Sequence, residues 1–379
     1  MSLNSNKIIY LEQIDTAKIN KVFNHWAVQY PRGGILAFVA EQSLDSVDDL
    51  QVQAKKVSCT LIGAVFPELI VEGKLKKHGI LLFHFEEMPS HCIVSLSNNT
   101  SEADKDASYM TTCLDIDMDD EEQSLFMIFD SMVPNIASLI DTIYLTIGDI
   151  VNYMGINAGS ETFQPMNCLF DNDNFIGNAV LVMLLKQHRG AVLEHGYTSP
   201  ESSISATSTT GNRISSIDWQ PAFDVYKELA QKHYAIEITK DNFYENAVHF
   251  PIGIMRMDGE MLVRIPVALD DDGSLHCVGE VPENSVLTLL KAVSPDSSKT
   301  IDVLVNKVAD QPEETILTFY CAGRRMHLGD AAIKELTLLQ NILSHKNIMG
   351  ALSLGEIGGS KQGGYPLFHN AALVSIPWK

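Results

Sequence analysis

Two residue types in this sequence carry a charge in places where charge is expensive. Arg264 sits inside an apolar run, Met261 to Val267, where an unpaired guanidinium would be costly to bury. Such a group either pairs with an internal acid or clamps an anion, a carboxylate above all. Arg324 poses the same choice just after an apolar strand, and it and Arg325 lie nearer a turn, where solvent exposure is expected. Glu356 occupies a turn between two strands, and Glu68 looks like its counterpart in an earlier stretch. Acid–base work needs a partner group within reach, and neither glutamate has a His or Asp close by in sequence. A carboxylate that fixes a loop by accepting N–H groups is the expected role. Twelve histidines are available. His249, in Val248-His249-Phe250-Pro251, is the first candidate for a ligand-contacting imidazole, and His195, at the end of an apolar strand, the second. No GxGxxG, Walker loop, HExxH or GxSxG is present, which weighs against an enzyme. The alternative left open is an enzyme of unknown reaction using Glu356 and a histidine.

These side chains need elements to hold them. Apolar residues make up 45% of the 379-residue chain and charged ones 20%, the composition of a packed protein, and the length calls for two domains. Helical spacing marks 16–29, 44–57, 136–147, 221–234, 300–308 and 331–343, with 242–248 less clear. Apolar or alternating runs mark strands at 35–39, 59–66, 79–85, 125–129, 151–156, 178–185, 315–322, 349–354 and 371–376. The stretches 252–254, 261–267, 275–279 and 285–290 suggest a β-meander. The polar, acidic segment 98–123 reads as a solvated loop. An EF-hand counted from Asp115 would need glycine and glutamate where Asp120 and Phe126 stand.

The formal charge of −21 repels phosphate backbones and anionic lipid, so nucleic acid is not an expected partner. The longest apolar run, Ala179 to Leu185, falls far below the roughly 20 residues that span a bilayer, and no signal peptide opens the chain. Neither export nor membrane insertion is expected. Six dispersed cysteines without a CxxC pair read as reduced, buried thiols of a cytoplasmic protein, with no disulfide and no zinc.

A tripeptide of Ile or Met, Gly, and Ala or Ile recurs four times, around Gly63, Gly155, Gly253 and Gly350. Subtracting neighbouring numbers gives spacings of 92, 98 and 97 residues. Glycine in a strand marks a bulge or a close backbone approach, here either tight packing or the lining of a ligand pocket. The stretches after Gly63 and Gly350 agree best, matching after one insertion. The fold class expected is α+β, two related domains of mixed sheets with flanking helices, at 1–200 and 201–379.

The last thirty residues carry the most specific signal. Gly350 to Ile357, a glycine-rich stretch, and Tyr365-Pro366-Leu367-Phe368-His369-Asn370 resemble the closing motif of FIST sensory domains, in which a Gly-Glu-Ile turn precedes a Phe-x-Asn strand. Asn157-Ala158-Gly159-Ser160, His195-Gly196-Tyr197, Asp218-Trp219-Gln220-Pro221, Pro251-Ile252-Gly253-Ile254, Val263-Arg264-Ile265-Pro266, Gly279-Glu280-Val281-Pro282 and Cys321-Ala322-Gly323-Arg324 resemble the family in the same order. The resemblance implies a small-ligand sensor that reports to a signalling protein such as a histidine kinase. Some family members bind haem and sense nitric oxide, which would make His249 the axial metal ligand and Arg264 a clamp for a propionate. The chain departs from the family where Ile265 follows Arg264 and where Ala372 lies two places after Asn370.

Overall fold

The computed structural model describes residues 7–97, 103–117, 120, 122–200, 202–257, 259–294, 297–359 and 364–378. The first unit runs β1 (Ile8–Leu11), α1 (Thr16–Gln29), β2 (Gly34–Ala40), α2 (Ser46–Lys56), β3 (Thr60–Phe66), the hairpin β4 (Leu69–Val71) and β5 (Lys74–Lys76), then β6 (Ile80–Phe85). Helix α1 covers the range its spacing predicts, burying Ile19, Val22, Phe23 and Trp26 on one face. Asp15 caps it by accepting the Ala17 N–H at 2.9 Å.

The same sequence of elements then repeats. The second unit comprises β7 (His91–Ser95), α3 (Ala103–Cys113), β8 (Gln123–Asp130), α4 (Ile136–Ile147), β9 (Asn152–Ala158), the hairpin β10 (Leu169–Asp171) and β11 (Phe175–Ile176), and β12 (Ala179–Lys186). A third unit opens with β13 (Val192–Glu194) and is interrupted by an inserted antiparallel sheet. The insertion holds β14 (Ile204–Thr210), β15 (Arg213–Ile217), β16 (Gln220–Pro221), α5 (Ala222–Tyr234), α6 (Phe243–Ala247), β17 (Ile252–Met255), β18 (Met261–Arg264), β19 (Pro266–Leu269), β20 (Leu275–Cys277) and β21 (Val286–Leu289). The unit resumes with α7 (Lys299–Val308), β22 (Thr315–Cys321), α8 (Ala322–Leu328), α9 (Asp330–Ile342), β23 (Asn347–Ser353), the hairpin β24 (Glu356–Gly358) and β25 (Leu367–His369), and β26 (Leu373–Trp378).

The fold is α+β with mixed sheets and flanking helices. Three six-stranded sheets share one plan: β1-β6-β2-β3-β10-β11, β7-β12-β8-β9-β24-β25 and β13-β26-β22-β23-β4-β5. In each, two parallel strands joined through a helical connection form the centre, and the last two positions are taken by another unit's hairpin. The first unit lends β4–β5 to the third, the second lends β10–β11 to the first, and the third lends β24–β25 to the second. Strands therefore cross the 200–201 divide in both directions. The inner faces of all three sheets meet in one aromatic core, where Phe319 lies 5.7 Å from Phe38 and 6.1 Å from Phe126 between ring centroids.

Three of the four repeated glycines hold equivalent places. Gly63, Gly155 and Gly350 pair with Ala37, Met127 and Thr318 on the parallel side, and with Phe170, Ile357 and Ile70 of the borrowed hairpin on the other. An added methyl would run into the carbonyl oxygen of the parallel partner in every case, and at Gly63 also into the Phe170 ring. These glycines serve close packing. Gly253 differs: it lies in the antiparallel insertion and faces the Met261 sulfur and Leu290. The five strands between 252 and 289 also do not form a simple meander, since β17 and β18 join β21 while β19 and β20 join β15.

Two expectations are corrected. The acidic segment contains α3, whose sparse apolar residues Ala107, Met110 and Leu114 are buried at helical spacing within a polar composition. Asp119 and Glu121 of the same segment lie outside the described residues. Cys92 of β7 and Cys113 of α3 form a disulfide rather than staying reduced, while Cys59, Cys168, Cys277 and Cys321 are free and buried. Edge strand and helix bring those two sulfurs together, a proximity that spacing alone did not reveal.

The packing role of the glycines sets an order of sensitivity. Gly350→Ala combines a backbone clash with a φ of 150° and should cost about 3 kcal/mol or more, whereas Gly253→Ala meets a flexible methionine and should cost about 1 kcal/mol. Urea unfolding of the two variants measures the difference.

Candidate functional site

The third unit and the insertion meet along a seam that brings Arg264, Arg324, Glu356, His195 and His249 into one region of the fold. Tyr197, Val248, Val263, Ile265, Leu290 and Ala371 pack there as a small apolar cluster. Around it lie Arg264 on β18, Arg324 on α8, Glu356 on β24, and His195 and His249 on the connecting segments.

Arg324 is almost fully buried, contrary to the exposure expected beside a turn. Its guanidinium forks onto Glu335 of α9 at 2.9 and 2.7 Å and donates a third hydrogen bond to the His195 carbonyl at 2.7 Å. Tyr320 completes the group by donating to Glu335 at 2.6 Å. The fork's charge is neutralised internally, so Arg324 ties α8 to α9 and to the segment before the insertion. Arg325 is also engaged, pairing with Glu68 of the first unit and Glu161 of the second.

Arg264 is buried, yet it donates to carbonyl oxygens alone among the described residues: Glu280 at 2.9 Å, Val263 at 3.0 Å and Phe368 at 2.8 Å. Its guanidinium carbon stands 5.6 Å from the centre of the Phe368 ring. Among the described residues no carboxylate forms an ion pair with it. The nearby Glu280 carboxylate instead accepts from the Ser138 N–H and hydroxyl in the first turn of α4. Burial lowers the arginine from its ordinary value to about 10, still charged at neutral pH. The group borders a cavity of about 780 Å³ between α4, β25 and the inserted sheet, whose wall includes Ile254, Met255, Arg256, Leu262 and Phe368.

Glu356 is fully buried. Its carboxylate accepts from the Ser353 hydroxyl and from the Ala372 N–H at 3.3 Å, with the Cys321 thiol also hydrogen-bonded to it. The pairing of the strands corrects its relation to Glu68. Ile70 opposes Gly350 as Ile357 opposes Gly155, so the two stretches align without any insertion. The residue equivalent to Glu356 is then Leu69, and Glu68 corresponds to Gly355: the Glu68 carbonyl takes the Leu352 N–H as the Gly355 carbonyl takes that of Asn157.

His249 and His327 of α8 are hydrogen-bonded through their Nδ1 atoms, with ring centroids 4.7 Å apart. His327 Nε2 lies 2.9 Å from the Val293 carbonyl oxygen, which can only accept. Nε2 of His327 is therefore protonated and its Nδ1 accepts, so His249 donates from Nδ1 and carries its lone pair on Nε2. Burial lowers both imidazoles. His195 Nδ1 accepts the Tyr197 N–H at 3.0 Å, and burial lowers it too. Among the described residues no group of three or more His, Cys, Asp and Glu is placed to hold a metal ion.

Family models match the chain in two adjoining stretches, an N-terminal FIST domain over residues 35–220 and a C-terminal FIST domain over 222–359. The chain belongs to the FIST family. A search of curated proteins gives no match. FIST domains sense small ligands, and the seam holds groups suited to that task. No helix among the described residues is long and apolar enough to cross a membrane. The two FIST stretches are interlocked, because β4–β5 of the first completes a sheet built from the second and β24 of the second pairs with β9 of the first. Sequence reading missed His369, Cys321, Ser353, Glu335 and His327 as site residues. His369, Cys321 and Ser353 stood inside quoted motifs, but their importance rests on strand partners that the sequence does not display, while Glu335 and His327 stood in none.

Burial raises the Glu356 carboxyl from its ordinary 4.5 to about 7, opposed by Ser353, Ala372, Cys321 and Arg324. A carboxyl that keeps its proton longer when folded contributes fully below about pH 4.5 and loses that contribution as the pH rises through about 7. The loss is at most about 3 kcal/mol. Urea unfolding at about pH 4.5 and about pH 8 should show a steeper fall for the wild type than for Glu356→Gln.

Proposed function

We propose that this FIST protein senses a small organic anion bound beside Arg264, and that it reports through a protein partner such as a histidine kinase. The observation that carries the reading is the buried guanidinium without a carboxylate partner at the wall of a cavity lined by apolar side chains together with a second cation, Arg256, and the acids Asp141, Glu280 and Glu283. A ligand carboxylate would complete it with a charge-assisted contact to Nη2, since Nε and Nη1 already donate to carbonyls, while Phe368 and Leu262 would take the ligand's apolar body. Arg264 already holds the Phe368 carbonyl, so a change in its position acts directly on β25 and on the chain leading to Ala371 and Ala372. The family resemblance supports the kinase as partner.

Calorimetric titration of the whole chain with acetate, benzoate and pyruvate tests the ligand class. Binding of at least one, weakened about a hundredfold or more in Arg264→Met at unchanged fold, is the expected result. Equal binding by the variant would remove Arg264 from the site.

The lone pair on His249 Nε2 supports a second reading, haem held by His249. Its Nδ1–H is already directed to His327, the arrangement by which a second residue fixes a metal-bound histidine, and Val248 and Phe250 supply apolar flanks. Haem would supply an iron at which nitric oxide binds. Addition of haem should give a Soret band that moves with nitric oxide and is lost in His249→Ala. No uptake by the wild type would end this reading and leave the anion sensor standing.

A further inference from the structure

The threefold plan supplies an internal control for every polar residue in the seam. Strand register makes Glu356 equivalent to Leu69 and Leu169, each facing the residue after a repeated glycine. Its hairpin partner His369 is equivalent to Lys76 and Ile176. Ser353 corresponds to Phe66 and Ala158, and Cys321 to Ala40 and Asp130. The same fold is thus built twice without a buried acid and imidazole on this hairpin. Lys76 reaches Glu12 at the surface at 3.2 Å, and the Asp130 carboxylate is satisfied by the N–H groups of Met132 and Asn178.

In the third unit the Glu356 carboxylate is held by Ser353, Ala372 and Cys321, but its partner His369 is not satisfied in this way. Glu356 and His369 are both fully buried. Neither nitrogen of His369 makes a hydrogen bond of ordinary geometry, the Gly358 backbone being in weak reach and the Glu260 carboxylate standing 3.7 Å from Nε2. Of the eight buried side-chain polar atoms without a partner among the described residues, four belong to Asn157, His369 and Asn370, which flank or pair with β24 and its turn. A buried polar group left unpaired costs about 1–3 kcal/mol. Packing does not call for that cost where the sister units hold Leu169 with Ile176 and Leu69 with Lys76.

We propose that Glu356 and His369 form a second binding centre, on the opposite side of β25 from the Phe368 ring that faces Arg264, which takes a small uncharged molecule able both to donate and to accept hydrogen bonds, such as a primary amide. A neutral imidazole presents one N–H and one lone pair, and a carboxyl group can act in either sense. The cation nearest the carboxyl, Arg324, is already paired with Glu335, so an added charge on this side would be buried without a free counter-ion. This centre does not rest on the anion reading for the Arg264 cavity.

The test uses the whole chain with ¹⁵N-labelled histidine and acetamide as the probe. The resonance missing from His369→Ile identifies the ring. Acetamide should shift it saturably in the wild type and in Arg264→Met, and at least tenfold more weakly in Glu356→Leu. Glu356→Leu installs the residue of both sister units but leaves the Ser353 hydroxyl and the Ala372 N–H without their acceptor, so its response is read well below its own unfolding temperature. Glu356→Gln, which keeps a donor and an acceptor, should restore the response. An unmoved His369 ring in the wild type overturns the proposal. So does a response that survives Glu356→Leu, or one that is lost in Arg264→Met.

Discussion

Everything in this molecule depends on the close approach of three backbones at each repeated glycine. A central strand is pressed between its parallel neighbour and a hairpin contributed by another unit, and in each sheet the space between them is too small for a side chain. Where Gly63, Gly155 and Gly350 stand, the borrowed strand can lay Phe170, Ile357 or Ile70 alongside. This contact closes each sheet and, by exchanging hairpins around a ring, locks three units into one core. The apolar interior is a consequence of that closure. It leaves the edges and the insertion seam as the places where polar chemistry can be sited.

The insertion is what makes the third unit different. It adds the inserted sheet to one sector of an otherwise repeated structure, so that β18 and the Arg264 side chain come to lie against β25. The hairpin β24–β25 thereby touches three bodies: the second unit through β9, the third unit through its own chain, and the insertion. An arginine supported by carbonyls on one side of that hairpin and an acid and imidazole on the other give it two chemically different environments.

Much of the fold was legible in the sequence, because helices such as α1 and α4 bury one regular apolar face and strands such as β2 and β8 are apolar throughout. The glycine spacing carried the repeat, although it also admitted Gly253. What was hidden depends on pairing between distant segments. The hairpin β4–β5 carries no strand signal, since its strands are short and Lys74 and Lys76 interrupt the apolar pattern. Aligning glutamate with glutamate gave the wrong equivalence for Glu356, and only the strand register, with Ile70 against Gly350, corrected it. Arg324 was misjudged for the same reason, its partner Glu335 being on a separate helix.

The exchanged hairpins also bear on how the chain reaches this state. Val71 is made early but pairs with Met349, so β4–β5 cannot dock until almost all of the polypeptide exists. Topologies with such distant contacts fold slowly, and unpaired strand edges invite association in the meantime. The two lysines on that hairpin place charge on an edge that must wait, a known protection against edge-to-edge aggregation. Synthesis of the third unit is thus the step that releases the first from its incomplete condition.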